Sequence, residues 1–166
     1  MFLFRLSRAV RRKLRTMFKI VSNPIDPAAW QQTLTNVEAG ACVTFAGWVR
    51  QHNQGLVVLS LEYEAYAVLA VAEGKKILAE AHERFAVVGI AAVHRTGHLQ
   101  LGELAVWVGV TANHRDAAFG ASRFVIDEMK ARLPIWKKEY YTGGATAWIN
   151  CATRGEHGGL GALPSS

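Results

Sequence analysis

The segment GELAVWVGVTA, residues 102–112, is apolar at nearly every position. A strand with one face in water alternates apolar and polar residues, whereas a strand of this composition is buried on both faces. Other elements must cover it, because an exposed apolar face of this size would not stay in water. We therefore predict a central strand here, around which the rest of the chain folds.

Two helices are predicted from apolar residues that recur at spacings of three and four. The first covers residues 66–85, and its apolar stripe comprises Ala70, Gly74, Ile77, Ala81 and Phe85. The second covers residues 113–134, with Asn113 as a suitable N-cap and Pro134 at its end. Its apolar stripe comprises Ala118, Ala121, Val125 and Met129.

Four further segments have the pattern of strands or short strands. Residues 41–50 and 56–64 alternate between two faces and are joined by the polar loop QHNQG, so we expect them to pair. In the second of them, one face comprises Val57, Leu59, Leu61 and Tyr63. A strand over 86–97 is closed by glycine, and a short strand is expected over 145–150. This order predicts an α+β domain with a largely antiparallel sheet and two main helices.

The positive charge of the chain is concentrated at its start. The formal net charge is +6, and residues 1–16 contain six basic residues and no acidic one. Removing these six from the 19 basic residues leaves 13, against 13 acidic ones. A basic footprint across the whole domain is therefore absent, which argues against a nucleic-acid-binding domain.

Three interpretations of residues 1–16 remain open. The segment is a basic amphipathic tail, an Arg-rich targeting peptide, or not translated, since Met17 also opens a sensible domain. We divide the chain into this leader, a catalytic domain over 17–150 and a flexible glycine-rich tail over 151–166. No apolar run is long enough to span a membrane.

The two cysteines, Cys42 and Cys151, have neither CxxC nor metal-ligand spacing. We expect two thiols that form no disulfide in a reducing compartment, the cytoplasm, and no bound metal. The chain also lacks a nucleophile elbow, a phosphate-binding P-loop and a dinucleotide fingerprint. The chemistry must come from other residues.

His114 and Arg115 open the second predicted helix. The free amides and the dipole at a helix N-terminus favour an anion and mildly disfavour cations. A basic pair at this position is explained if an anion binds there. The alternative is a pair of exposed side chains, one of them bonded to a loop carbonyl.

Two lysines lie near the end of the same helix, one within it and one after it. Lys130 lies on a polar helix stripe with Asp127, which is typical of a solvated side chain. Lys137 follows Pro-Ile-Trp in LPIWKKE, residues 133–139, which is interpreted as a largely apolar turn. Partial desolvation there would suit a proton-transfer role, and the alternative is an aliphatic stem lying along Trp136.

Arg115 and Lys130 cannot serve one small ligand in the same chain. They are 15 residues apart on one predicted helix. At 1.5 Å per residue their separation is roughly 22 Å. If both helix ends are functional, the simplest solution is a twofold dimer, in which each pocket takes Lys130 from one chain and His114 with Arg115 from the other.

Five stretches, in this order and spacing, resemble the family of the large catalytic subunit of molybdopterin synthase. They are GACVTFAGWVRQHNQG, LEYEAY, VHRTGHLQLGE, VGVTANHRDAAF and IDEMKARLPIWKKE. The resemblance covers about residues 18 to 150. It implies an α/β-hammerhead-type fold and a central homodimer. A small ubiquitin-like sulfur-carrier protein is expected to bind each subunit and complete a heterotetramer, without nucleic acid or membrane.

The resemblance also implies an activity. The enzyme would be a sulfurtransferase that moves two sulfurs from the C-terminal thiocarboxylate of the carrier to cyclic pyranopterin monophosphate. The product is the dithiolene of molybdopterin, made during molybdenum cofactor biosynthesis, and this subunit itself would hold no metal or other cofactor.

Site residues carry over by motif. Lys130 and Lys137 are expected to be the catalytic pair. The resemblance places Arg50 in the pocket strand, His114 and Arg115 at the substrate of the neighbouring chain, and Lys138 with Glu139 in the pocket lining. The competing interpretation is a non-catalytic module that binds a pterin or nucleotide phosphate, or a scaffold for a ubiquitin-like partner.

Overall fold

The structure, a computed structural model, describes residues 15–153. Its elements in chain order are β1 (Arg15–Val21), α1 (Pro27–Gln32), β2 (Ala41–Trp48), β3 (His52–Asn53), β4 (Leu56–Ala65), α2 (Ala67–Arg84), β5 (Val87–Arg95), β6 (Gly97–Gln100), β7 (Leu104–Ala112), α3 (Arg115–Arg132), β8 (Ile135–Tyr141), β9 (Gly144–Ala145), β10 (Ile149–Asn150) and a 3₁₀ turn (Cys151–Thr153). Of the predicted leader, only Arg15 and Thr16 are described, and both belong to β1. None of the helices within 15–153 has the length and apolar character that a membrane crossing requires.

The apolar segment forms β7, and all nine of its residues are buried. It lies inside a four-stranded sheet of order β1-β5-β7-β2, in which only β1 and β5 run parallel. The predicted central strand is thus confirmed, as is an α+β fold with a mostly antiparallel sheet and two long helices. β1 and α1, which carry weak patterns, were not predicted.

Helices α2 and α3 cover this sheet with the predicted stripes. The buried residues of α2 are Ala70, Gly74, Ile77, Leu78 and Ala81. Those of α3 are Ala118, Ala121, Ser122, Val125, Ile126 and Met129. The predicted Asn113 cap is wrong, because the N-cap is His114, which adopts an extended conformation without a side-chain capping bond.

The expected pairing of the strands over 41–50 and 56–64 is also wrong. Strand β2 pairs with β7, whereas β4 belongs to a second sheet of order β10-β8-β4-β3, with β6 and β9 at its sides. The reason is a tight hairpin: Gln54 and Gly55 have φ of 51° and 79°, so the chain folds β4 back onto β3.

One face of β4 differs from the prediction. Val57 and Leu59 are exposed, while Val58, Ser60 and Leu61 are buried. The register against β8 shifts between Val58 and Ser60, so Leu59 is an extra residue in the ladder. This bulge changes which side of the sheet the side chains of β4 occupy.

The stretch interpreted as an apolar turn is a strand. Pro134 follows the end of α3, and β8 begins at once with the buried Ile135. Strand β8 pairs with β4 along most of its length and with β10 at its start. The side chains of 135–141 therefore alternate between two faces.

Arg132 fastens the C-terminal end of α3 to α2. Its guanidinium binds Glu73 at 2.6 Å and Glu80 at 2.7 Å on α2, and Glu128 at 2.9 Å on its own helix. The hydrogen bonds from Arg132 lower the pKa of both Glu73 and Glu80. This network fixes the helix end on which Lys130 lies.

Candidate active site

A cavity of about 520 Å³ lies between β2, the C-terminal half of α3 and β8. Its apolar wall includes Phe45, Val106, Ile126, Met129 and Ile135. Its cations are Arg50, Lys130 and Lys137. Lys130 comes from α3, Lys137 from β8 and Arg50 from the loop between β2 and β3, so three of the site residues predicted from the sequence meet in one place.

Lys137 is held inside the cavity wall by an ion pair. Its side chain is 19% exposed, and Nζ donates to Glu139 Oε1 at 2.8 Å. The two residues lie two positions apart on β8, so both point to the same face of the strand. The partial burial predicted for Lys137 is confirmed, and the ion pair with Glu139 compensates the charge of the partly buried ammonium group.

Glu139 is a buried hydrogen-bond centre behind Lys137. It is 4% exposed and also accepts from the Tyr141 hydroxyl and from Asn53 Nδ2, the latter at 2.9 and 3.0 Å. Burial alone would raise the pKa of Glu139, but the hydrogen bonds from Lys137, Tyr141 and Asn53 outweigh it, so the pKa is lowered. Glu139 is therefore a carboxylate, and in this ionised form it holds Lys137 in position. Glu139 itself is not one of the cavity-lining residues.

Asn53 joins this centre to the third cation. Its Oδ1 accepts from Arg50 at 3.1 Å while its Nδ2 donates to Glu139, so one amide connects Arg50 with the partner of Lys137. The hairpin turn after Asn53 directs it toward β8. Sequence reasoning missed this residue, and only the polar loop with its glycine hinted at a fixed conformation there.

Lys138 lies away from the cavity. Its Nζ lies 5.4 Å from the ring centre of Tyr140 and 5.7 Å from that of Trp148. Neighbouring residues of a strand face opposite sides, so Lys137 and Lys138 cannot both face the cavity. The expected lining role of Lys138 finds no support in its position.

Lys130 and the pair His114 with Arg115 occupy opposite ends of α3. Lys130 lies in the last turn and lines the cavity. Arg115 begins the helix, its side chain is 85% exposed, and its nearest acidic group is Asp116 at 4.0 Å. The helix is continuous over its 18 residues, so the N-terminal pair does not reach the cavity of its own chain.

Two uncharged polar side chains complete the cavity wall. Tyr63 and His94 are in edge-to-face contact, with ring centres 5.0 Å apart and an interplanar angle of 78°. Burial raises the pKa of Tyr63, helped by Cys151 and Glu139, and burial lowers the pKa of His94 to about 4. Both groups are therefore neutral near pH 7. The alternating pattern around them is that of ordinary strands and did not single them out.

A second cavity, of about 290 Å³, is lined by uncharged residues of α1, β2 and the loop between them, together with Thr111. It offers no charged group to a ligand. Within residues 15–153 no cluster of three or more His, Cys, Asp or Glu residues could hold a metal ion. The cationic cavity is therefore the candidate active site.

The chain is similar to known proteins over most of its length. The family model described as MoaE protein matches residues 20–132. The molybdopterin synthase catalytic subunit of Staphylococcus epidermidis is 38% identical over 128 residues, which are 77% of this chain and 85% of that protein. The family match includes Arg50, His114, Arg115 and Lys130, while Lys137 lies beyond its end.

Solved structures have the same fold. The crystal structure of molybdopterin synthase from Staphylococcus aureus superimposes with a TM-score of 0.75 at 35% identity, covering 80% of this chain and 96% of that one. A complex of subunits 1 and 2 of molybdopterin-converting factor from Helicobacter pylori gives 0.65 at 22% identity, covering 82% and 91%. At that identity the second likeness concerns the fold alone.

Proposed function

This chain belongs to the MoaE protein family, and on that premise we propose that it is the catalytic subunit of a molybdopterin synthase. The reaction is the transfer of sulfur from the C-terminal thiocarboxylate of a small ubiquitin-like carrier to cyclic pyranopterin monophosphate. Two transfers form the dithiolene of molybdopterin. We assign the reaction to the cytoplasm, where Cys42 and Cys151, which form no disulfide within residues 15–153, stay reduced.

The observation that carries the proposal is the meeting of Arg50, Lys130 and Lys137 around one partly apolar cavity. Both reactants are anions, one a cyclic phosphate and the other a thiocarboxylate. An arginine suits a phosphate because its planar guanidinium donates in pairs. Ammonium groups at a partly dehydrated site act more strongly on developing negative charge than they do in water.

We assign Lys137 to the acyl-sulfur end of the reaction. The thiocarboxylate sulfur forms a bond to a substrate carbon while a carbon–oxygen bond at that carbon breaks, and the oxygen leaves as water or with the phosphate. A water molecule then attacks the acyl carbon. Lys137 Nζ stabilises the oxyanion that forms there, and the ion pair with Glu139 keeps it in position. The acyl–sulfur bond breaks, the carrier leaves as a carboxylate, and the sulfur stays on the substrate. Lys130 positions the substrate or moves a proton.

A homodimer supplies the residues that one chain cannot bring together. Arg115 is exposed at the far end of α3, about 22 Å of helix away from Lys130. In a twofold dimer, His114 and Arg115 of one subunit complete the cavity of the other. Their exposure at a helix N-terminus, where the dipole disfavours a cation and Arg115 contacts only the neighbouring Asp116 at 4.0 Å within residues 15–153, supports this arrangement.

The carrier is the second partner of the proposal. Its C-terminal tail must enter the cavity beside Lys137, so its docking surface lies next to β8. Trp48 is 64% exposed and lines the cavity. Trp148 is 37% exposed, and its ring centre lies 5.7 Å from Nζ of Lys138 on β8. Large exposed aromatic side chains of this kind are suited to a protein interface.

The test combines the purified chain with a thiocarboxylated carrier and cyclic pyranopterin monophosphate, and measures dithiolene formation. We expect two sulfurs transferred per pterin. A chain that binds the pterin but forms no dithiolene would be the non-catalytic binding module instead. Size measurement of the chain alone tests the dimer, and a monomer at micromolar concentration would contradict the shared site.

A further inference from the structure

Tyr63 and His94 offer hydrogen-bonding atoms that the protein itself leaves unused. Within residues 15–153, neither the Tyr63 hydroxyl nor His94 Nε2 has a hydrogen-bond partner. In the same range, the only buried side-chain nitrogen or oxygen without a partner is Nε of Arg95, so neither atom is sealed from solvent. Since both residues line the cationic cavity, these atoms are available to its occupant.

The protonation of the pair follows from its contacts. His94 Nδ1 lies 2.9 Å from the carbonyl oxygen of Arg95, and a carbonyl only accepts, so Nδ1 carries the proton. In a neutral imidazole Nε2 is then an acceptor. The ring stays neutral because burial lowers the pKa of His94 to about 4, and the hydrogen bond to the Arg95 carbonyl offsets only part of that effect. The protonated Tyr63 hydroxyl is free to donate.

Hydrogen-bond acceptors are scarce among the polar side chains of this cavity. Arg50, Lys130 and Lys137 only donate. The Asn53 oxygen already accepts from Arg50, and the buried Glu139 carboxylate is occupied by Lys137, Asn53 and Tyr141. His94 Nε2 is therefore the acceptor best placed to receive an N–H group from a ligand.

We propose that Tyr63 and His94 together bind the lactam edge of the pterin ring, with His94 accepting from the ring N–H and Tyr63 donating to the neighbouring ring carbonyl. The inference rests on the proposed function, and it assigns a neutral recognition site for the heterocycle beside the cationic site for phosphate and thiocarboxylate. Tyr63 and His94 are then binding residues that set specificity for the fused ring.

The peptide tail of the carrier contains amides too, so the two sources must be separated. In a trans peptide unit the N–H and C=O point in opposite directions. In a lactam ring they lie on one edge, side by side. The ring centres of Tyr63 and His94 lie 5.0 Å apart in edge-to-face contact on the wall of one cavity, so a donor from one residue and an acceptor from the other can serve neighbouring atoms of a single lactam edge.

The experiment measures binding apart from turnover. The dissociation constant of cyclic pyranopterin monophosphate is obtained by fluorescence titration of the full chain, and that of the thiocarboxylated carrier by a separate titration. His94→Leu and Tyr63→Phe should each weaken pterin binding roughly three- to tenfold and leave carrier binding unchanged. Tyr140→Phe, which removes a hydroxyl bonded to Glu62 outside the cavity, is the matched control.

Amide substitutions protect the test against misfolding of the leucine variant. Gln carries its oxygen near the place of Nε2 and Asn near that of Nδ1, so His94→Gln should bind the pterin more tightly than His94→Asn. Unchanged pterin binding in Tyr63→Phe together with equal binding by the two amide variants would overturn the inference. Weakened carrier binding with normal pterin binding would assign the pair to the peptide tail and also overturn it.

The results that would contradict the proposed function differ from those that would contradict the lactam assignment. If the wild-type chain binds the pterin without forming dithiolene, the sulfurtransferase proposal is lost, while the four variants of Tyr63 and His94 still decide the role of the pair. If the wild-type chain makes dithiolene and the variants bind the pterin normally, only the lactam assignment is lost.

Discussion

The two ends of helix α3 carry cations in opposite circumstances. At the C-terminal end, Lys130 lines a cavity with Arg50 and Lys137, and Arg132 ties the helix to α2 through carboxylates on both helices. At the N-terminal end, His114 and Arg115 are exposed, and the contact of Arg115 with Asp116 is long. The first end is part of an organised site within one chain, whereas at the second the charges lie in solvent and Arg115 is paired only loosely with its neighbour Asp116.

In our proposal, this difference marks the place where a second subunit contributes to the site. A helix dipole disfavours cations at the N-terminus and favours them at the C-terminus. The C-terminal cations are therefore stabilised by their own fold. The N-terminal pair gains a reason for its position only when an anion is brought to it, and in our proposal that anion is held by a partner subunit.

The largest effect is expected at the organised end. Lys137→Ala and Lys130→Ala should each reduce kcat/KM for dithiolene formation by roughly 10²- to 10³-fold, as for the loss of a donor to a developing oxyanion. Melting temperatures near that of the wild type would show that folding is kept. Near-normal turnover by both variants would remove the two lysines from the mechanism.

Two control lysines sharpen this prediction. Lys75→Ala, on the exposed side of α2, should leave turnover unchanged. Lys138→Ala should have a much smaller effect than Lys137→Ala, because Lys138 lies over the rings of Tyr140 and Trp148 on the other face of β8. Equal losses at positions 137 and 138 would contradict the orientation of this strand.

Mixing subunits tests whether the N-terminal end of α3 in one subunit and the C-terminal end of α3 in the other form one site. Arg115→Ala alone should lower kcat/KM by roughly 10- to 100-fold, because a charge-assisted contact to a phosphate is worth 1.5–3 kcal/mol. Coexpression of Arg115→Ala with Lys137→Ala should restore activity to about a quarter of the wild-type level, since half of the dimers then contain one intact pocket. Activity no higher than that of the two separate variants would mean that each site lies within one chain.

A smaller effect is expected where Asn53 connects Arg50 to Glu139. Asn53→Ala should lower kcat/KM by roughly tenfold, because Arg50 loses its hydrogen bond to Asn53 and Glu139, which positions Lys137, loses its hydrogen bond from Asn53. The loss in the double variant with Glu139→Gln should be well below the product of the two single losses, since both act through Lys137. Fully multiplicative losses would show that Asn53 acts independently.

Neighbouring tyrosines supply a matched pair for the same network. Tyr141 donates to Glu139, whereas Tyr140 donates to Glu62 at 2.8 Å. Tyr141→Phe should lower kcat/KM, and Tyr140→Phe should not.

The smallest effect concerns the anchoring of the C-terminal end. Because Arg132 lowers the pKa of Glu73 and Glu80 in the folded chain, their contribution to stability is present above the unfolded pKa of about 4.5 and is lost as the pH falls through the lowered folded values. Arg132→Met should therefore lower the melting temperature at pH 7, by roughly 5 °C. The difference from the wild type should shrink near pH 3, and thermal melts across this range test it.

Local pattern predicted much of the scaffold. The apolar run over 102–112 and the stripes of α2 and α3 depend on residues close in sequence, so periodicity identified them. The LPIWKKE stretch was interpreted as a turn because Pro134 and a run of charges obscure its alternation. Without the strand, the sequence did not show that Lys137 and Lys138 lie on opposite faces, because only the two-residue period of a strand separates them.

The candidate site was predicted in part for a related reason. Arg50, Lys130 and Lys137 were expected from a family resemblance, and all three line one cavity. Asn53 was not expected, because its partner Glu139 is 86 residues away and the contact depends on how β3 and β8 lie in the folded chain. Tyr63 and His94 look like ordinary strand residues until the two strands are brought together.

The amino-acid sequence alone determined the buried central strand, the two long helices with their apolar faces, and membership of a protein family. These follow from residues within one or two turns of each other or from motifs in order. Only the tertiary structure decided that β2 and β4 lie in different sheets, which lysine of β8 faces the cavity, and that Asn53 and Glu139 hold it there. Such contacts join distant segments, and long-range strand pairing and burial, rather than local periodicity, select them.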